Sequence, residues 1–370
     1  MPTLLCIGHC VDMLSQDNHE YNGGEIWVHG RFGTQTICEM DLSTIKTNAK
    51  TDKKKQTNPL EKSVFYKLHS VSRLCRLLGI ERQTLEGIIT QKNEPMQIHN
   101  RLPVCSEGYI EIKYERNCVL NKSTRKNKGN GKMRVMIYPR SDLLSSIYYK
   151  IYKYLNRIKR PSYNIIRKKE MSDKCYSHVH YVKSHVGARS GFTVDIANFY
   201  PSITHKMVFN FFKYDMKCST NISKKLAELT TQRYTDESGK VVDCLAQGAC
   251  FSHILSWLVC KRHFDKIAAK CEQRGILFTN WIDDMAFSGK ECYQMIPIIR
   301  DEFNKIGLKI KWTKLHKFSN FKELKTGNRE RIMNITIRDN KMYVALKPDM
   351  KNRGYVKYIN RMNDEDDAFC

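Results

Sequence analysis

An acidic pair sits where an apolar hairpin turns. Residues 276–289 (ILFTNWIDDMAFSG) carry two runs of strand character, Ile276–Ile282 and Met285–Ser288, joined at Asp283-Asp284. Like charges a few ångströms apart raise each other's pKa unless something positive neutralises them. A fold that buries this turn must therefore bring a cation to it. The competing reading is an exposed turn, in which adjacent aspartates bond local backbone. A third carboxylate, Asp195, ends another apolar strand, Phe192–Ile196, within FTVDIANFYPSI. Alone it reads as a cap or turn residue. If its strand lies beside the hairpin, three carboxylates meet at one sheet end. Oxygen-ligated Mg²⁺ is the natural neutraliser there, with Mn²⁺ as a substitute. Two such ions about 3.5–4 Å apart suit phosphoryl transfer, one activating an attacking hydroxyl and the other steadying a triphosphate.

The surrounding pattern predicts helices from about Thr204 to Tyr214, from Ser252 to Gln273 with Gly275 at its end, and from about Glu291 to Ile306 up to Gly307. A further strand is expected over Leu308–Trp312. The order β-α-α-β-β-α-β describes an α+β fold, a split βαβ sheet with helices on one face. Upstream, Val71, Leu74, Leu77, Leu78, Leu85 and Ile88 or Ile89 recur at helical spacing, with Gly79 as a break between two helices. Tyr109–Tyr114 alternates as a strand. The basic run Lys122–Arg134 contains an Asn130-Gly131 turn signal. Val135–Tyr138 is a strand ended by Pro139, and Asp142 is placed to cap a helix from Leu143 to about Leu155. Arg157–Lys183 is basic, with Tyr163, Tyr176 and Tyr181 interleaved. Val28–Ile37 suggests short strands around Gly30–Gly33, and Lys50–Asn58 a cationic linker. Ile332–Ile337 and Lys341–Ala345 are two more expected strands, and Asn363–Asp367 an acidic, frayed tail.

Charge indicates the partners. Lys and Arg number 63 against 38 Asp and Glu, a formal net charge of +25 over 370 residues. Such an excess attracts polyphosphate through counterion release. An anionic membrane is the competing partner, but no basic amphipathic helix with a wide apolar face stands out, nor any apolar run near the roughly 20 residues a span needs. The N-terminus lacks the basic and apolar regions of a secretory signal. A cytoplasmic protein is expected, its 14 cysteines reduced. Cys6, His9 and Cys10 lack the second ligand pair a structural zinc requires.

Over roughly Ser63 to Ala345 the chain resembles bacterial reverse transcriptases of the retron and antiphage-defence kind. DIANFYPSI, from Asp195, is similar to that family's first palm motif. LAQGACFSHILSWLVCKRHFD, from Leu245, resembles its Gln-Gly motif and following helix. WIDDMAFSG, from Trp281, is similar to the aromatic-x-Asp-Asp hairpin, and GLKIKWTK, from Gly307, to the next motif, which ends in a lysine. GKMRVMIYP resembles the fingers strand, HVGARSGFTVD the lead into the palm, and Ser63–Ile89 the helical N-terminal segment. Four palm motifs in order make the resemblance specific.

The resemblance implies a right-hand polymerase with fingers, palm and a small thumb. Residues 1–60 are then an N-terminal extension of unknown role, 61–190 the helical segment and fingers, 191–318 the palm, and 319–370 the palm end, thumb and tail. It implies RNA-directed DNA synthesis from dNTPs on an RNA template, a dedicated non-coding RNA serving antiphage defence, with DNA as product. The alternatives are template-independent or protein-primed nucleotidyl transfer on the same fold, and an inactive RNA-binding scaffold. A second defence protein or further copies of the chain are the other partners implied. By position, Asp195, Asp283 and Asp284 hold the metals with the Ile196 carbonyl. Tyr200 is the aromatic gate against a ribose 2′-hydroxyl, or otherwise a core aromatic beside Phe199. Gln247 and Gly248 contact nucleotide and template. Arg134, with Lys132, grips the triphosphate, or both are solvated loop charges. Lys314 protonates departing pyrophosphate, or is surface charge. The chain departs from the family at Trp281 (usually Tyr or Phe), Ala246 (Pro), His253 (Pro), Trp257 (Asn) and Ile332-Met333-Asn334 (Val-Thr-Gly). All three carboxylates are kept, which implies an active but divergent enzyme.

Overall fold

The computed structural model describes residues 21–22, 25–30, 33–36, 58–100, 102–106, 108–129, 131–164, 178–188, 190–235, 239, 241–319, 331–332, 335–338, 341–344 and 359–360. Cys6, His9 and Cys10, the linker up to Thr57, Asn130, Tyr176, Met333-Asn334 and the acidic tail lie outside them.

Near the start, β1 (Tyr21–Asn22), β2 (Glu25–Gly30) and β3 (Gly33–Thr36) form a small antiparallel sheet, and β2 turns into β3 at the expected Gly30–Gly33 pair. Two helices follow, α1 (Val71–Leu78) and α2 (Arg82–Asn93). The Ser70 hydroxyl caps α1 by accepting from the Arg73 N–H, and Gly79 ends it at φ +64°. The inward faces bury Leu74, Cys75, Leu78, Leu85, Ile88 and Ile89, each large apolar side chain contributing about 1.5–3 kcal/mol. Next come β4 (Gln97–Ile98), β5 (Cys105–Ser106), β6 (Tyr109–Arg116), β7 (Leu120–Asn127) and β8 (Met133–Pro139). The first six residues of the basic run read as a turn-bearing segment are thus part of strand β7, and its last two open β8. Strand β7 can be buried because Lys122 faces Glu115 across the ladder, with an ion pair of 2.9 Å. The turn itself falls at Gly131, φ +67°.

Helix α3 (Asp142–Leu155) is capped by Ser141, whose hydroxyl accepts from the Leu144 N–H; Asp142 lies inside the first turn instead, where its charge suits the helix dipole. Further on lie α4 (His178–Lys183), β9 (Ser190–Asp195) and a single helical turn over Phe199–Ser202. Helix α5 (His205–Asn210), capped by Thr204, widens into a π-turn over Phe211–Asp215. Then follow α6 (Thr220–Thr230) and a hairpin unforeseen from sequence, β10 (Thr231–Thr235) and β11 (Val241–Leu245). Helix α7 spans Ser252–Glu272, and the acidic hairpin is β12 (Leu277–Trp281) and β13 (Asp284–Ser288). After a 3₁₀ turn at Cys292–Gln294 comes α8 (Met295–Asn304). Leu308–Trp312 is not a strand. Ile310 makes one isolated bridge to Ile196, a 3₁₀ turn takes Trp312–Lys314, and the edge strand is β14 (His316–Ser319). Strands β15 (Arg331–Ile332), β16 (Ile335–Arg338) and β17 (Lys341–Val344) form a further antiparallel sheet.

The chain divides into two compact units, each made from two stretches. One takes residues 1–157 and 212–252 and holds the sheet β4-β6-β7-β8, with β5 also on β6, and the β10–β11 hairpin. Its core includes Phe65, set edge-on to Tyr154 and Phe212. The other takes residues 158–211 and 253–370, and its main sheet runs β12-β13-β9-β14, antiparallel throughout. Phe278, Phe287 and Phe192 stack across three of its strands, with centroids 4.8 and 4.7 Å apart. The fold is α+β, with helices around antiparallel sheets, as expected. No helix among the described residues is long and apolar enough to cross a membrane.

Candidate active site

Strand β9 lies beside β13, and the register sets Asp195 directly opposite Asp284. Asp283 occupies the turn between, its carbonyl accepting from the Ile196 N–H at 3.2 Å. The three predicted carboxylates therefore meet at one sheet end. Asp195 is buried. One of its oxygens, Oδ2, accepts from the Lys314 ammonium; the other, Oδ1, is buried with no hydrogen-bond partner among the described residues. Burial, then the charges of Asp284 and Asp195, hold the Asp283 carboxyl well above the usual carboxylate range. Burial and the Asp195 charge push Asp284 up to about 6, against the pull of Lys314. Burial works to lower the Lys314 ammonium, but the Asp195 contact and the neighbouring carboxylates leave it raised. Lys314 reaches Asp195 because the preceding segment is stitched to β9: Lys311 N–H donates to the Asp195 carbonyl and Ala197 N–H to Lys309, both at 2.8 Å.

This donor set fits a hard divalent cation. It is all oxygen, it carries excess negative charge, and one buried oxygen, Asp195 Oδ1, lacks a donor among the described residues. Among the described residues no three His, Cys, Asp or Glu side chains are already gathered closely enough to hold a metal ion, and the Lys314 ammonium lies against Asp195.

Tyr200 is half-buried on the short helix after β9, its ring 5.9 Å from that of Phe199. Burial and the Asp283 charge raise its hydroxyl pKa. Tyr181 and His185 escaped the sequence reading as site residues. The Tyr181 hydroxyl is fully buried with no partner among the described residues. Burial raises its pKa, followed by the charges of Asp284, Asp283 and Asp195. His185 lies edge-on to the Tyr181 ring and joins the two strands of the acidic hairpin, with Nδ1 2.7 Å from Ser288 Oγ and Nε2 2.6 Å from Thr279 Oγ1. Burial lowers its pKa to about 3, so the ring is neutral. An aromatic within a basic stretch was the only signal for Tyr181, and His185 carried none.

The remaining predicted residues belong to the other unit. Gln247 forms a parallel bridge with Met136 of β8, its carbonyl accepting from the Ile137 N–H at 2.9 Å. Gly248 follows at φ +126°, and a Cβ there would lie 2.8 Å from the Ile137 carbonyl oxygen. Only glycine tolerates that approach. Arg134 is exposed on the same strand, its guanidinium 5.2 Å from the Tyr109 ring centroid, and Lys132 is exposed just before it. Gln247, Gly248 and the strand bearing Arg134 are thus brought together.

Residues 124–344, more than half of the chain, match the family model described as reverse transcriptase (RNA-dependent DNA polymerase). The Retron Se72 reverse transcriptase of Salmonella heidelberg (strain 579083-10) is 27% identical over 66% of this chain and 56% of its own length. The Retron Ec86 reverse transcriptase of Escherichia coli is 25% identical over 34% of this chain and 36% of its own length. The chain thus spans about half, or less, of the curated relatives it matches. A solved apo telomerase from Candida tropicalis, truncated from its C-terminal domain, aligns at 11% identity and a TM-score of 0.42 over 69% of this chain and 55% of that one, too loose a likeness to carry weight. The matched region contains all three aspartates, the Gln-Gly element and Lys314, and by that match the chain belongs to the reverse transcriptase family.

Proposed function

We propose that the chain is an RNA-directed DNA polymerase that extends a DNA strand with dNTPs on an RNA template. The observation that carries this reading is the gathering of Asp195, Asp283 and Asp284 at one sheet end, with a buried, donorless oxygen on Asp195. Asp195, Asp283 and Asp284 would hold two Mg²⁺ ions, or Mn²⁺, with the Ile196 carbonyl as a further ligand. Bound there, the ions supply a lowered hydroxyl pKa at the attacking 3′ end and charge neutralisation at the triphosphate. Lys314 keeps a proton on Nζ beside Asp195, available to a departing pyrophosphate. The Tyr200 ring excludes a 2′-hydroxyl, selecting deoxynucleotides. Gln247 and Gly248 present backbone to the base pair being formed, and Arg134 with Lys132 holds the phosphates. Resemblance to retron enzymes extends the reading to a cytoplasmic, dedicated non-coding RNA template in antiphage defence. Residues 1–60 would then be an extension, 61–190 the fingers segment, 191–318 the palm and 319–370 its end and thumb.

The test removes one charge. Asp283→Asn is expected to lower dNTP incorporation at least about a thousandfold while RNA affinity, read by filter binding, stays within twofold. Full-rate incorporation by this variant defeats the assignment. Loss of RNA binding together with incorporation points to misfolding, and incorporation by neither protein despite bound RNA supports the inactive scaffold.

A further inference from the structure

Ile282, immediately before Asp283, has φ +59°. A β-branched residue rarely adopts this left-handed conformation, and something outside its own side chain must hold it. Three consecutive turn carbonyls show what does. The Asp283 carbonyl is taken by the Ile196 N–H. The carbonyls on either side, those of Ile282 and Asp284, both accept from the side-chain amide of Asn280, at 3.0 and 3.3 Å. Asn280 is fully buried on β12, and its own N–H donates to the Tyr163 carbonyl at 2.8 Å. Its side-chain oxygen accepts from the Asn164 amide at 3.2 Å, and Asn164 is fully buried too.

We propose that Asn280 is a positioning residue for the acidic turn, and that Asn164 sets which way its amide faces. An asparagine amide can be turned over, exchanging its acceptor and its donors. Here the Asn164 N–H takes the oxygen, so the Asn280 NH₂ must face the turn. With all three carbonyls drawn inward, the Asp283 and Asp284 side chains leave the turn on a fixed backbone. A turn left to itself would relax Ile282 toward negative φ and swing Asp283 away from Asp195. A displacement of about 1 Å at reacting groups is enough to cost a hundredfold in rate.

The proposal rests on the polymerase reading, and the experiment separates the two. Full-length wild type, Asn280→Ala and Asn164→Asp are compared in single-dNTP incorporation on an RNA template with a DNA primer. Mn²⁺ affinity of each is measured in parallel by EPR, without nucleotide. Asp at position 164 accepts but does not donate, so it invites the Asn280 amide to turn over and present oxygen to the turn. Both variants are expected to lose tenfold to a hundredfold in kcat, with KM for dNTP and RNA affinity within twofold, and to bind Mn²⁺ at least fivefold more weakly. Wild-type kcat in either variant, normalised to folded protein by circular dichroism, overturns the proposal. A loss confined to KM does the same, as does failure of both variants to fold, which makes the pair a folding element. If wild type incorporates nothing, the polymerase reading fails, and the Mn²⁺ comparison decides alone: weaker binding in both variants upholds the positioning role, and equal or absent binding ends it.

Discussion

Gly248 and Asn280 show how differently single residues announce themselves. Gly248 sits in a recognisable Gln-Gly pair, and its geometry explains the glycine: positive φ and a carbonyl where a side chain would start. Gly248→Ala is expected to destabilise its unit by at least about 2 kcal/mol, read as a lower urea midpoint with an unchanged m-value. A midpoint equal to wild type would mean that the turn accommodates a methyl group. The acidic turn was equally legible, because two adjacent carboxylates in an apolar hairpin have few physical solutions. Asn280, Tyr181 and His185 were not. The meaning of Asn280 and His185 comes from partners far along the chain, Asn164 and Ser288, and that of Tyr181 from the three distant carboxylates whose charges it feels. Local pattern carries no information about such pairs.

Elements whose signal is internal were read closely. Helices α1, α3 and α7 follow from apolar spacing with a capping hydroxyl or a terminal glycine, and α2 from apolar spacing alone. Elements decided by a neighbour were not. Leu308–Trp312 has strand character, yet only Ile310 bridges to Ile196, and the edge of the sheet goes to His316–Ser319. Strand β7 was hidden by its lysines until Glu115 supplied a partner for Lys122. Lys92 is another inward lysine that helical spacing cannot reveal. Its ammonium donates to the carbonyls of Glu228 (2.7 Å), Leu229 (2.5 Å) and Thr231 (3.1 Å), where α6 ends. A cation suits that end of the helix dipole, although burial lowers the lysine pKa to about 7. Lys92→Met leaves those carbonyls without their donor and is expected to cost about 2–4 kcal/mol. Thermal unfolding checks it, and an unchanged midpoint would remove Lys92 as the closing cap of α6.

The molecule as a whole is strongly cationic, at +25. Charge of this size acts on partners more than on folding, and it points to polyphosphate partners independently of any motif. RNA affinity is therefore expected to fall steeply with salt. If roughly six to ten phosphates are neutralised, the loss between about 50 and 200 mM salt is on the order of 10³ to 10⁵. A flat salt dependence would mean that the excess charge faces something else. What charge and motifs together could not reveal is the division of the chain into two units, each assembled from separated stretches that meet only through tertiary contact.

Metal-dependent nucleotidyl transfer at the three aspartates is read out by a single incorporation assay. The protein is purified with its bound nucleic acid and given each labelled dNTP and rNTP in turn with Mg²⁺, before and after RNase treatment. Incorporation of deoxynucleotides only is expected, lost after RNase and absent without the metal. Incorporation that survives RNase, that prefers ribonucleotides, or that needs no divalent ion would contradict the RNA-directed DNA polymerase reading.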